Sequence, residues 1–135
     1  VQSLTTGEAP CFSEIWRLLL FAAMLGRRLG KRVPLERTDA GKAMMPQYFS
    51  NCPSWPGILY LLGLAETGDP VVLQSSESAE DRIVGAFEEY ANGGLEYMTK
   101  EAQTRDLTPA ALVDLLNRLV TTGPSSAVDV SDIQV

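Results

Sequence analysis

Four cationic side chains, Arg27, Arg28, Lys31 and Arg32, fall within residues 27–32, spaced by Gly26 and Gly30. Guanidinium and ammonium groups at this density suit one kind of chemistry, the holding of phosphate or carboxylate. The two glycines allow a nucleic-acid backbone to come close. A plainer role fits the same residues. They follow the apolar run Leu18–Leu25 and so stand at the C-terminal end of its helix. The helix dipole favours cations there by about 0.3–1 kcal/mol each. A DNA phosphate run, an acidic partner protein and the chain's own acidic body are three candidate counterparts.

Other chemistry is largely excluded. The chain has no histidine. That removes Ser-His-Asp and Cys-His arrangements, His-containing zinc sites and the commonest general base. Cys11 and Cys52 are too few for a disulfide framework or a four-thiolate zinc site, and are expected as reduced thiols near the core. Gly26 and Gly30 form neither a P-loop nor a dinucleotide loop. They lack G-K-[ST] and a third glycine, and they end a helix rather than start one. Glu88, Glu89, Glu96 and Glu101 are better read as a solvated face than as a metal site, because a helical carboxylate site would add Glu-x-x-His or further inward carboxylates. No catalytic residue, cofactor or metal is expected.

Charge is distributed unevenly. Residues 1–42 hold seven Lys/Arg against four Asp/Glu, a net of +3, and residues 43–135 hold four against thirteen, a net of −9. The total of −6 argues against a whole-surface nucleic-acid footprint but permits a local cationic patch. At 135 residues the chain is one domain by length, with an ordinary 45% hydrophobic and 21% charged composition. The apolar run is too short for a membrane span, and the basic residues follow it, the wrong order for a signal peptide. A cytoplasmic protein is expected.

The elements that must position the cations are helical. The apolar spacing predicts a first helix from Phe12 or Ser13 to Leu25 or Leu29, central in its bundle because it is apolar on more than one stripe. Residues 1–11 read as a loose lead-in, and 36–45 as a loop. Residues 46–56, with Tyr48, Phe49, Cys52 and Trp55 among three prolines, read as a short helical turn. A second helix is predicted over 57–66, with Ile58, Leu61, Leu62 and Ala65 inward and Gly68 ending it. Val71–Leu73 is either a short extended piece or a contact closing the turn. Ser78 and Asp81 suggest the start of a third helix. Ile83, Phe87, Tyr90 and Ala91 form its inner face. Asn92-Gly93-Gly94 predicts a break with a left-handed glycine, and a further helix over 95–103. The last helix starts at Thr108-Pro109, faces the core with Leu112, Leu115, Leu116 and Leu119, and stops at Gly123-Pro124. The aromatic residues suit core or subunit-contact roles better than base stacking. The fold class is therefore all-α, a compact bundle of four main helices plus a short fifth, as one domain over 12–123 with a flexible tail over 124–135.

Three stretches, LLLFAAMLGRRLGKRVPL (18–35), LYLLGLAETGD (59–69) and FEEYANGGLEYM (87–98), carry a likeness to a known family. Over roughly Phe12 to Ala102 the chain resembles Dnd system-associated protein 4, small proteins encoded beside bacterial DNA phosphorothioation (Dnd) operons. The resemblance implies a non-catalytic accessory subunit in a defence system that marks DNA with backbone sulfur and restricts unmarked DNA. No catalytic motif of that family is available to carry over. Its implied partners are other Dnd-system proteins; the basic turn with Arg27, Arg28, Lys31 and Arg32 is the candidate contact to either the DNA backbone or a partner protein. Two rival readings are a homodimeric interaction module unrelated to DNA and a carboxylate-dependent enzyme.

Overall fold

The computed structural model describes residues 2–5, 10–36, 52–74 and 76–122. They form one short helix and four longer ones: α1 (Gln2–Thr5), α2 (Ile15–Leu29), α3 (Trp55–Thr67), α4 (Glu77–Thr104) and α5 (Pro109–Thr121). A single 3-10 turn, Pro70–Leu73, links α3 to α4, and the described residues include no strand. The all-α class expected from the apolar spacing is what folds.

The fold is organised around the pairing of α2 with α4. Leu18, Ala22 and Ala23 on α2 are fully buried, and Met98 on α4 nearly so. Burying a leucine such as Leu18 contributes about 1.5–3 kcal/mol. The core has two lobes. In one, Ala23, Leu62, Ala86, Phe87, Tyr90 and Ala91 join α2, α3 and α4, with the Trp55 ring edge-on to Phe87 at 5.1 Å. In the other, Leu4 of α1 packs with Leu18, Ala22, Leu25 and Met98, flanked by Phe12, Leu107 and Leu119. Gln2–Thr5 lies within the stretch read from sequence as a lead-in, and the Leu4 carbonyl accepts from the Phe12 amide.

Several expectations need correction. Asn92-Gly93-Gly94 does not break the helix: α4 runs unbroken for 28 residues. Among the described glycines only Gly30 and Gly68 have positive φ. The reason is packing. A Cβ on Gly94 would lie 1.9 Å from the Ala22 carbonyl oxygen, and one on Gly93 would lie 2.1 Å from that of Lys31. These glycines are there to let two backbones touch, and a continuous helix presents them best. The α4 cap is Ser76, whose hydroxyl accepts from the Ala79 amide, rather than Ser78.

On α3 the inner side is Trp55, Leu59 and Leu62, while Leu61 points outward and is 68% exposed. Gly63 turns the helix this way, since Ile83 of α4 packs where its Cβ would be. Gly68 ends α3 with φ 66°, as its position suggested. Val71–Leu73 is 3-10, not extended; Asp69 caps it by accepting from the Val71 amide at 2.9 Å, and Val72 is buried. Thr108 caps α5 and Pro109 opens it, as read from the sequence. Leu112 and Leu115 are buried there, but Leu116 is largely exposed. The turn expected over 46–56 falls mostly, and the tail over 124–135 wholly, outside the described residues.

Candidate functional site

The candidate site is built where α2 stops. Gly30 takes φ 64°, a left-handed conformation that costs glycine little. Its amide donates to the Arg27 carbonyl at 3.1 Å and the Lys31 amide donates to the Gly26 carbonyl at 2.8 Å. This is a Schellman termination, and it satisfies carbonyls the helix would otherwise leave open. Gly26 is not free for a ligand: a Cβ there would lie 2.0 Å from the Tyr90 carbonyl oxygen of α4. Beyond the cap the chain lies along α4. The Val33 amide donates to the Glu89 carbonyl at 3.1 Å, and the Asn92 side-chain amide donates to the carbonyls of Val33 and Pro34 at 3.2 and 3.3 Å. Asn92-Gly93, read in sequence as a bend, is the seat of this segment.

The four cations do not form one open cluster. Arg32 pairs with both Glu66 of α3 and Glu89 of α4, and its guanidinium lies 5.9 Å from the Tyr90 ring centre. Arg27 donates to the Ala65 carbonyl of α3 at 3.2 Å and also faces the Tyr90 ring. Arg28 donates to the Leu119 carbonyl at 2.8 Å, near the C-terminal end of α5. Lys31 sits 5.3 Å from the Tyr97 ring centre and within electrostatic reach of Glu96. Arg27 and Arg32 thus converge on one spot, Tyr90 with Glu66. Arg28 and Lys31 diverge from it, toward α5 and the C-terminal half of α4.

Tyr90, read from the sequence as a core or subunit-contact residue, is the hub. Its ring is buried, and its hydroxyl donates to Glu66. That hydrogen bond, with Arg32 behind it, holds the Glu66 carboxyl below its ordinary value of 4.5. Burial, and then the bond to Glu66, pushes the Tyr90 phenol above its ordinary value of 10.0. Arg32 is held above its ordinary value, chiefly by its bond to Glu89, and stays charged. The signal for this hub was a charged residue inside an apolar helix: Glu66 follows eleven residues of α3 with no charge.

Beside the hub is a shallow cleft of about 230 Å³, walled by Arg32, Glu66, Asp81, Arg82 and the small residues Gly63 and Ala86. Its charges are of both signs, so it presents no uniform field to a phosphate. Among the described residues no group of three or more His, Cys, Asp or Glu could hold a metal ion. Glu89 and Glu101 are engaged by arginines, and Glu96 by Lys100. Cys11 and Cys52 are free thiols; the Cys11 Sγ donates to the Leu107 carbonyl at 3.2 Å. Among the described residues no helix is long and apolar enough to cross a membrane.

Fold and site together define a small helical protein whose basic helix end is folded back onto its own body. The chain belongs to the DNA sulphur modification system-associated protein 4 family, whose model matches residues 1–133. A search of the curated proteins and a search of the solved structures each gave no match.

Proposed function

We propose that this protein is a non-catalytic accessory subunit of a bacterial DNA sulphur modification-linked restriction, or anti-phage, system. It works in the cytoplasm by binding a partner protein of that system rather than the DNA backbone. Membership of the family supports the system. The observation that carries the choice of partner is the engagement of Arg27, Arg28 and Arg32 by the chain's own carbonyls and carboxylates. A DNA phosphate would have to displace Glu66 and Glu89 from Arg32 in a field that those carboxylates make negative. Neutralising fewer phosphates means weak binding.

A protein partner has a better surface on α5. Val113, Leu116 and Val120 lie at i, i+3 and i+7 on its outer side, with Val113 57% and Val120 77% exposed. An amphipathic helix of another subunit, laid along that stripe, would complete it. Co-expression with tagged proteins of the modification and restriction machinery tests this reading. The wild type is expected to co-purify with one of them, and Val113→Glu with Val120→Glu is expected to abolish the association while leaving the fold intact. Failure to associate with any of these proteins would remove the reading.

A further inference from the structure

We propose that α3 is a self-association surface, on which two copies of this chain pack antiparallel about a two-fold axis through Leu61. The proposal rests on α3 alone and not on the α5 reading.

An amphipathic helix at a protein surface shows water a polar face. α3 does not. Residues 55–65, WPGILYLLGLA, carry no charge. The inner side is accounted for by Trp55, Leu59 and Leu62 packed on α4. The outer side consists of Gly57, Ile58, Leu61, Leu64 and Ala65, at i, i+1, i+4, i+7 and i+8. Gly57, Leu61 and Ala65 are exposed, and Ile58 and Leu64 half-buried.

The order of these residues identifies the occupant. Reflected about Leu61, Ile58 falls on Leu64 and Gly57 on Ala65. The stripe reads small, large, large, large, small in both directions. In an antiparallel pair centred on Leu61, each Ile58 meets the other copy's Leu64, the two Leu61 side chains meet at the axis, and Gly57 opposite Ala65 leaves a hole on either side that takes their ends. That is knob-into-hole packing with no charge at the contact. A two-fold interface must be self-complementary, and this stripe is. A Cβ on Gly57 would meet nothing within 4 Å among the described residues, so the hole is open on this side.

The surface is small. One face of a 13-residue helix falls well short of the roughly 800 Å² per partner of a standard complex, so the association is weak and depends on concentration. Each copy carries a net charge of −6, so the copies repel at long range and salt strengthens their association. DNA binding responds to salt in the opposite sense.

Sedimentation equilibrium on the full chain, over about 5–500 µM and at low and high salt, tests this by mass action. The expected result is a monomer–dimer equilibrium that tightens with salt. Leu61→Glu is expected to weaken it at least about tenfold by placing two like charges at the axis. Gly57→Leu, which fills the hole without touching the chain's own core, is expected to do the same. Circular dichroism of both variants is expected to match the wild type. A monomer throughout would overturn the proposal, as would a dimer indifferent to both variants. So would a monomeric wild type whose Leu61→Glu variant loses a system protein, because α3 would then serve another subunit. Loss of system proteins from α5 variants that still dimerise would leave this proposal standing.

Discussion

Arg32 reaches two helices at once, and its loss would leave Glu66 and Glu89 facing each other beside a buried phenol. Arg32→Ala is therefore expected to destabilise the fold by about 1 kcal/mol, the upper end for partly exposed ion pairs. A denaturant titration reads this directly, and Arg28→Ala, which loses one exposed hydrogen bond, is the milder comparison. Glu66 and Tyr90 set a pH dependence. Glu66 binds its proton less readily when folded than when unfolded, so its contribution is present above its ordinary value of 4.5 and is lost as pH falls through its lowered folded value. Tyr90 has the opposite sign: its contribution is present below 10.0 and is lost as pH rises through its raised folded value. Thermal melting against pH is expected to show both edges, and Glu66→Gln to flatten the acid one. An unchanged acid edge in that variant would mean other carboxylates set it.

At the scale of elements, the glycines divide by what they touch. Gly94 abuts the Ala22 carbonyl of α2, whereas a Cβ on Gly85, in the same helix, would meet nothing within 4 Å. Gly94→Ala is expected to force α2 and α4 apart and cost about 1–3 kcal/mol. Gly85→Ala is expected to stabilise the protein by about 1 kcal/mol through helix propensity. Melting temperatures moving in opposite directions would check both. This contrast also marks the limit of what the sequence discloses. Capped and stopped ends were legible because their signals are local: Thr108-Pro109 opens α5, and Gly68 closes α3. Continuity of α4 through Gly93-Gly94 was not, because the carbonyls those glycines abut, of Ala22 in α2 and of Lys31 just beyond it, are far away in the sequence. The inward side of α3 keeps Leu62 but not Leu61 of the predicted face for a like reason, since Ile83 packing on Gly63 decides which leucine faces in. The basic turn was legible as a cluster of charge, but its counterparts Glu66, Glu89 and the Leu119 carbonyl belong to other helices.

For the whole molecule, the cations of the basic turn are drawn onto acidic residues of α3 and α4 rather than held apart from them. Arg27 and Arg32 meet the Glu66–Tyr90 hub, and Arg28 ties the end of α2 to α5. The basic turn thereby closes the bundle, and the outward apolar stripes of α3 and α5 become the surfaces proposed for copies and partners. The proposed role is assembly within a DNA sulphur modification system, with DNA left to other subunits. The most direct test is fluorescence anisotropy of duplex DNA, with and without backbone sulfur, titrated with the protein across a range of salt. No saturable binding at micromolar protein near physiological salt is predicted, with Arg28→Ala and Lys31→Ala together changing nothing. Saturable binding that falls steeply with salt, and whose salt slope flattens in that double variant, would contradict the account.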